Sequence, residues 1–135
     1  AVLIWNLINY NEICSTCQTY YKELKRMISI LSETYIINLI QPFYRNPITE
    51  LKKVPKAYFF DLGLRNYIID NFNPLEKRTD GGALVENFVF LSLKTNFQEA
   101  MINYWRTISK AEVDFVIRIK DEIIPVEVKY QSFKV

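Results

Sequence analysis

Apolar residues recur in this chain with two periods, and the change from one to the other sets out its elements. Residues 1–10 read as a helix. In Q-T-Y-Y-K-E-L-K-R-M-I-S-I-L-S-E-T (18–34), Tyr20, Leu24, Met27, Ile28 and Leu31 fall at steps of three and four, which predicts a second helix with Ser15 or Thr19 as its cap. E-I-C-S-T-C (12–17) then serves as a short link in a helix–turn–helix. The β-branched and aromatic runs at 35–40 and 57–60 predict strands. Between them stand Pro42, Asn46 and Pro47, followed by the basic residues Lys52, Lys53 and Lys56. Asp61 can cap a helix over 62–69. Residues 70–82 look like a boundary or a mobile loop. Beyond it the pattern predicts a helix (83–95) and strands at 102–106, 111–119 and 123–129.

This order makes the chain α/β (α+β). A winged-helix-like region (1–72) precedes a second unit (73–135). Of the 135 residues, 50% are hydrophobic, which supports a real core. Net charge is +2, so any nucleic-acid contact must rest on a local patch. Residues 45–78 supply one, with seven Lys or Arg against four acids. No apolar run reaches the roughly 20 residues that span a bilayer, so no membrane partner is expected. The start without Met suggests a fragment of a longer protein. Two cysteines and no histidine suit a reducing, cytoplasmic setting.

The chemistry concentrates in Glu86, Asp114, Glu127 and Lys129. In A-E-V-D-F-V-I-R-I (111–119), alternation puts Glu112, Asp114, Val116 and Arg118 on one face. In I-I-P-V-E-V-K (123–129) it puts Glu127 and Lys129 on the matching face. A turn centred on Lys120 and Asp121 pairs residues whose numbers sum to 241, setting Asp114 opposite Glu127 and Glu112 opposite Lys129. Like charges across a ladder repel. A hard divalent cation, Mg²⁺ or Mn²⁺, would resolve the conflict, with Lys129 beside it to orient a water. Glu86 lies in an apolar helix, where an unpaired carboxylate is costly unless it reaches the same site. The plainer alternatives are a Glu112–Lys129 ion pair and carboxylates that face solvent.

Further positions are open to two readings. Lys25 and Arg26 on the second helix, with Lys52, Lys53 and Lys56 in the wing-like loop, suit phosphate contacts on DNA. The helix face is equally suited to packing on a neighbouring domain. Arg106 either clamps a phosphate or pairs with Glu112. Trp105 suits packing better than base stacking. Cys14 and Cys17 suit core cysteines better than a redox pair.

Glu86, which lies within G-A-L-V-E-N-F-V-F (82–90), together with E-V-D-F-V-I (112–117) and P-V-E-V-K (125–129), resembles the PD-(D/E)xK nuclease-like superfamily. With E-T-Y-I-I (33–37), P-F-Y-R-N (42–46), K-A-Y-F-F-D-L-G-L-R-N (56–66) and Y-W-R (104–106), most of the chain resembles the C-terminal domain of a family of archaeal and bacterial AAA+-type ATPases. The resemblance implies a winged helix followed by a restriction-endonuclease-like mixed sheet with flanking helices. It makes Asp114, Glu127 and Glu86 metal ligands and Lys129 the catalytic lysine. The implied activity is Mg²⁺- or Mn²⁺-dependent hydrolysis of DNA phosphodiesters, in a chain that also carries an ATPase domain. The alternative is a non-catalytic domain that binds DNA or regulates that ATPase.

Overall fold

The computed structural model describes residues 7–44, 54–107 and 111–130. Asn9 opens the first helix, α1 (Tyr10–Cys17), by accepting the Glu12 N–H at 3.3 Å. The segment E-I-C-S-T-C is therefore helical and not a link, and Leu7 lies in a bridge to Lys56 rather than in a helix. The link is Gln18–Tyr20, with Gln18 left-handed at φ 50°. The second helix, α2 (Tyr21–Glu33), starts at Tyr20 without any side-chain cap, so neither Ser15 nor Thr19 fills that role. Its Leu24 and Ile28 are buried with Ile8 and Ile13 against Ile37, Ala57 and Phe59. Cys14 packs on this cluster, and both cysteines are free thiols.

The first two strands, β1 (Ile37–Ile40) and β2 (Lys56–Phe59), pair antiparallel with Ile37 opposite Phe59. This completes the helix–turn–helix–strand–strand order; residues 45–53 of the connection, Lys52 and Lys53 among them, lie outside the described residues. All four residues of β2 are buried, and its period of two serves both faces. Ala57 and Phe59 belong to the helical cluster. Tyr58 belongs to a second core with Ile40, Phe90, Tyr104 and Phe115.

Asp61 caps α3 (Leu62–Ile68), accepting the Leu64 N–H at 2.6 Å. The 70–82 segment, expected as a boundary or a mobile loop, is locally ordered. It contains a 3₁₀ turn (Leu75–Lys77) and then buries Arg78 and Asp80. Both oxygens of Asp80 accept from Arg78, Oδ1 from Nε at 2.9 Å and Oδ2 from Nη2 at 2.8 Å. Arg65 Nη1 adds a third bond at 2.9 Å. These bonds, from Arg78 first, hold the Asp80 carboxyl down at about 2. Asp80 is also the N-cap residue of the long helix α4 (Gly81–Asn96), but its side chain bonds the two arginines and not the N–H groups of that helix.

The C-terminal sheet has the order β3 (Met101–Arg106), β4 (Glu112–Ile119), β5 (Glu122–Val126), all antiparallel. The hairpin register is the one expected, with Phe115 opposite Val126 and Ile119 opposite Glu122. Lys120 takes the left-handed conformation (φ 52°) that so tight a turn favours. Strand β5 stops at Val126, shorter than the 123–129 expected, so Glu127 and Lys129 fall beyond it. After β1 the chain runs beside β3 through a parallel bridge at Pro42–Tyr104, which links the two sheets. No helix among the described residues is long and apolar enough to cross a membrane.

Candidate functional site

Burial of an ammonium requires anions, and β2 delivers one into the C-terminal half. Lys56 is 1% exposed. Its Nζ lies 3.1 Å from Glu86 Oε1, 2.5 Å from Glu112 Oε1 and 3.9 Å from Asp114 Oδ1. It also stands over the Tyr104 ring, 5.3 Å from the centroid. Lys56 is thus no surface cation for DNA. Its alternation with Ala57 turns it toward α4 and β4, where three carboxylates replace its hydration.

Each carboxylate has a reason to be there. Glu86 projects from the same helix as Phe90, which stacks on Tyr58 at 4.6 Å. The Tyr58 hydroxyl donates to Glu86 Oε1 at 2.5 Å. Burial, and then Glu86 itself, pushes the Tyr58 phenol far up, so it stays a donor at any working pH. Asp114 is aimed by an irregularity in β4. Between the pairs Asn103–Val116 and Trp105–Val113, β4 advances three residues while β3 advances two. The extra residue is a bulge, which re-aims side chains and breaks strict alternation. Asp114 and its neighbour Phe115 therefore both serve the interior: Asp114 faces Lys56, while Phe115 packs on Tyr58 at 5.5 Å. Glu112, opposite Arg106, shares its second oxygen with Arg106 Nε at 3.6 Å. Arg106 is thus the partner of Glu112, one of the two roles open to it. Tyr104 donates to the Val54 carbonyl at 2.5 Å, and burial pushes its phenol up to about 12.

Glu127 and Lys129 stand apart from this cluster. Their side chains are 58% and 72% exposed and pair with each other at 3.4 Å. The convergence expected of Asp114, Glu127 and Lys129 is replaced by that of Glu86, Glu112 and Asp114 on Lys56. What reaches Asp114 from the E-V-K segment is backbone: Val128 N–H donates to Asp114 Oδ2 at 2.8 Å. That bond also explains the end of β5, since Val128 donates to a side chain instead of extending the ladder.

The oxygens are of the hard type that Mg²⁺ or Mn²⁺ prefers. Their free approach, however, is taken by Lys56 on one side and by Val128 N–H on Asp114. Among the described residues no group of three or more acids or cysteines is arranged to hold a metal ion. The residues fit an ammonium as their counter-ion; they do not fit a divalent cation while Lys56 is in place.

Of the remaining candidates, Lys25 and Arg26 are exposed on α2, with Lys25 lying over Tyr21 at 5.2 Å. Trp105 is half-buried opposite Val113. Lys56, Tyr58, Glu112 and Asn87 are the site residues whose roles the sequence pattern hides. Asn87 bonds both backbone groups of Phe59, its Oδ1 accepting from N and its Nδ2 donating to O, each at 2.9 Å. The available signal was a lysine inside an otherwise apolar strand, which demands carboxylate partners.

Residues 2–75 match a domain of unknown function, DUF8612, and residues 81–134 match a second, DUF4143. The latter is typically found at the C-terminus of AAA-ATPase-like proteins. Two curated relatives, uncharacterized proteins of Mycobacterium bovis and Mycobacterium tuberculosis, are each 27% identical over 123 residues. Those residues are 90% of this chain and 28% of each relative, so the chain spans well under half of their length. No solved structure matches.

Proposed function

Because the chain belongs to the DUF8612 family through residues 2–75, more than half its length, and continues into a DUF4143 match, we propose that it is a non-catalytic regulatory or interaction module of an ATPase-like protein. The supporting observation is the Lys56 ammonium held among Glu86, Glu112 and Asp114. Counting Arg106, two cations stand against three carboxylates. The cluster is a closed clasp between β2, α4 and β4, and its charges are largely balanced from within. A hydrolytic centre of the PD-(D/E)xK type instead needs carboxylates open to an ion and a lysine beside it. In this chain the lysine of the E-V-K segment points to solvent and its glutamate binds that lysine.

A second reading, a metal-dependent nuclease acting on DNA, draws on one specific contact. Val128 N–H on Asp114 keeps the E-V-K segment next to the aspartate that the motif requires. The two readings separate in one experiment. The 135-residue chain is incubated with single- and double-stranded DNA in Mg²⁺ or Mn²⁺, beside Asp114→Ala and Lys129→Ala. The clasp reading expects the same background in all three proteins and no saturable Mn²⁺ binding by calorimetry. Cleavage that disappears in both variants would establish the nuclease. DNA retention without cleavage, weakened by Lys25→Glu with Arg26→Glu, would identify DNA as the partner of the non-catalytic module.

A further inference from the structure

The junction of the two sheets is incomplete, and the incompleteness forms a cavity. Tyr104 N donates to the Gln41 carbonyl at 3.2 Å, and Phe43 N to the Tyr104 carbonyl at 2.5 Å. One step earlier, the same parallel pattern would join Gln41 N to Ile102 O and Ile102 N to Leu39 O. Neither bond is among those formed by the described residues. The strands splay there, leaving a cleft of about 250 Å³ between 38–40 and 100–102, floored by α4. Its apolar lining includes Leu39, Ile40, Phe90 and Ile102, and its polar lining Asn38 and Lys94.

Two features decide what such a cleft would take. The first is charge. The Lys94 ammonium lies 5.1 Å from the Phe60 ring centroid and enters no ion pair among the described residues. Two last-turn carbonyls of α4 already accept from side chains and so compete less with an anion for this ammonium. Leu91 O accepts from Thr95 Oγ1 at 2.9 Å, and Ser92 O from Asn96 Nδ2 at 2.7 Å. The strand wall adds a donor: Phe60 N bonds Ile36 O on the β2 side, so alternate residues, Leu39 included, turn their N–H outward to the cleft. The second is size. An apolar cavity of about 150 Å³ holds benzene, so this larger one has room for an aryl or branched aliphatic body with a short polar arm. It is below the range of about 300–1,000 Å³ that drug-sized ligands occupy.

We propose that this cleft binds a small amphipathic carboxylate, an aryl or branched aliphatic acid. Its apolar body rests against Phe90 and Ile102, and its carboxylate on Lys94 and the Leu39 N–H. Two sources carry that chemistry: a free organic acid, and the C-terminal residue of a peptide chain. The site shares no charged residue with the Lys56 clasp, so it and the proposed function can fail separately.

The test is an amide-detected NMR titration of the 135-residue chain with 3-phenylpropionate, 3-phenylpropionamide and the tetrapeptide Gly-Ala-Val-Phe with a free carboxylate. Saturable shifts centred on the amides of Leu39, Gln41 and Ile102 are expected from at least one of the two acids. The neutral amide should bind about tenfold more weakly, the effect of one charge-assisted contact. The exposed Lys94→Gln should weaken the acid by a similar factor with the rest of the spectrum unchanged. Saturation by phenylpropionate alone identifies a free acid as the source; saturation by the tetrapeptide, at equal or lower concentration, identifies a chain terminus. Equal affinity for acid and amide, unchanged affinity in Lys94→Gln, or no saturable shift at these amides overturns the proposal.

Discussion

An ammonium removed from water costs several kcal/mol unless anions replace its hydration, and an anion left without its cation costs as much. Lys56 and its three carboxylates are bound by both statements. Lys56→Met keeps the length and apolar stem of the side chain but leaves Glu86, Glu112 and Asp114 facing one another. It should destabilise the fold by about 3–5 kcal/mol. Adding Glu86→Gln and Glu112→Gln to Lys56→Met should recover most of that loss, because the conflict goes with the charges. Urea midpoints of the three proteins test this; a single Lys56→Met within about 0.5 kcal/mol of wild type would mean the clasp holds nothing. Asp80 makes a parallel case with a defined pH window. Arg78, with Arg65 behind it, lowers its carboxyl from 3.8 to about 2. A group whose folded value is depressed stabilises above its unfolded value, and the stabilisation fades as pH falls toward the folded value. About 2 kcal/mol should therefore be lost between roughly pH 4 and pH 2. Asp80→Asn should lack that component at every pH, so the stability difference between the two proteins should shrink as pH falls through this window.

Elements show why part of the fold was legible and part was not. The Leu24–Ile28 part of the α2 stripe, the Asp61 cap and the hairpin register follow from local patterns, whereas Tyr20 and Met27 of that stripe are exposed; one-residue slips of the register would expose Phe115 and Ile117. The eight-residue α1 is too short and too polar for its period to stand out, although Asn9 followed by Glu12 was a usable start signal. The β4 bulge was hidden because alternation is assumed until it breaks, and the break depends on β3 lying opposite. The burial of Lys56 was hidden because a lysine behind a basic loop reads as solvated. The candidate carboxylates were visible, but which of them converge depends on tertiary packing. Asn87 belongs with the hidden features. With β1 covering one edge of β2, the Phe59 amide and carbonyl point to the other, and Asn87 satisfies both. Asn87→Ala leaves two buried backbone groups unpaired, at about 1–3 kcal/mol each. A loss of about 2–6 kcal/mol in urea unfolding is expected, together with faster hydrogen exchange at Phe59. Unchanged protection at Phe59 would contradict the clamp.

At the level of the whole molecule, β2 packs against both family matches, one on each of its faces. Its odd residues fill the core of α1 and α2, and its even residues serve α4 and β4. The C-terminal piece, residues 73–135, would lose Lys56, Tyr58 and the strand edge held by Asn87, and would keep Glu86, Glu112 and Asp114 with Arg106 as their remaining cation. A domain of about 60 residues buries only about 60% of the surface its unfolded chain exposes, so it has little margin to absorb that loss. The 73–135 fragment should accordingly be unfolded alone, with a collapsed amide spectrum. The 135-residue chain should unfold in a single transition reported alike by far-UV circular dichroism and by tryptophan fluorescence. Mixing the fragment with a separately produced 1–72 should restore dispersed amides, because β2 then supplies its cation, its phenol and its edge in trans. The same mixture made with Lys56→Met in the 1–72 piece should fail to do so. A fragment that folds unaided would show that the acidic cluster tolerates its own charge, and the argument for a clasp across the two halves would fall with it.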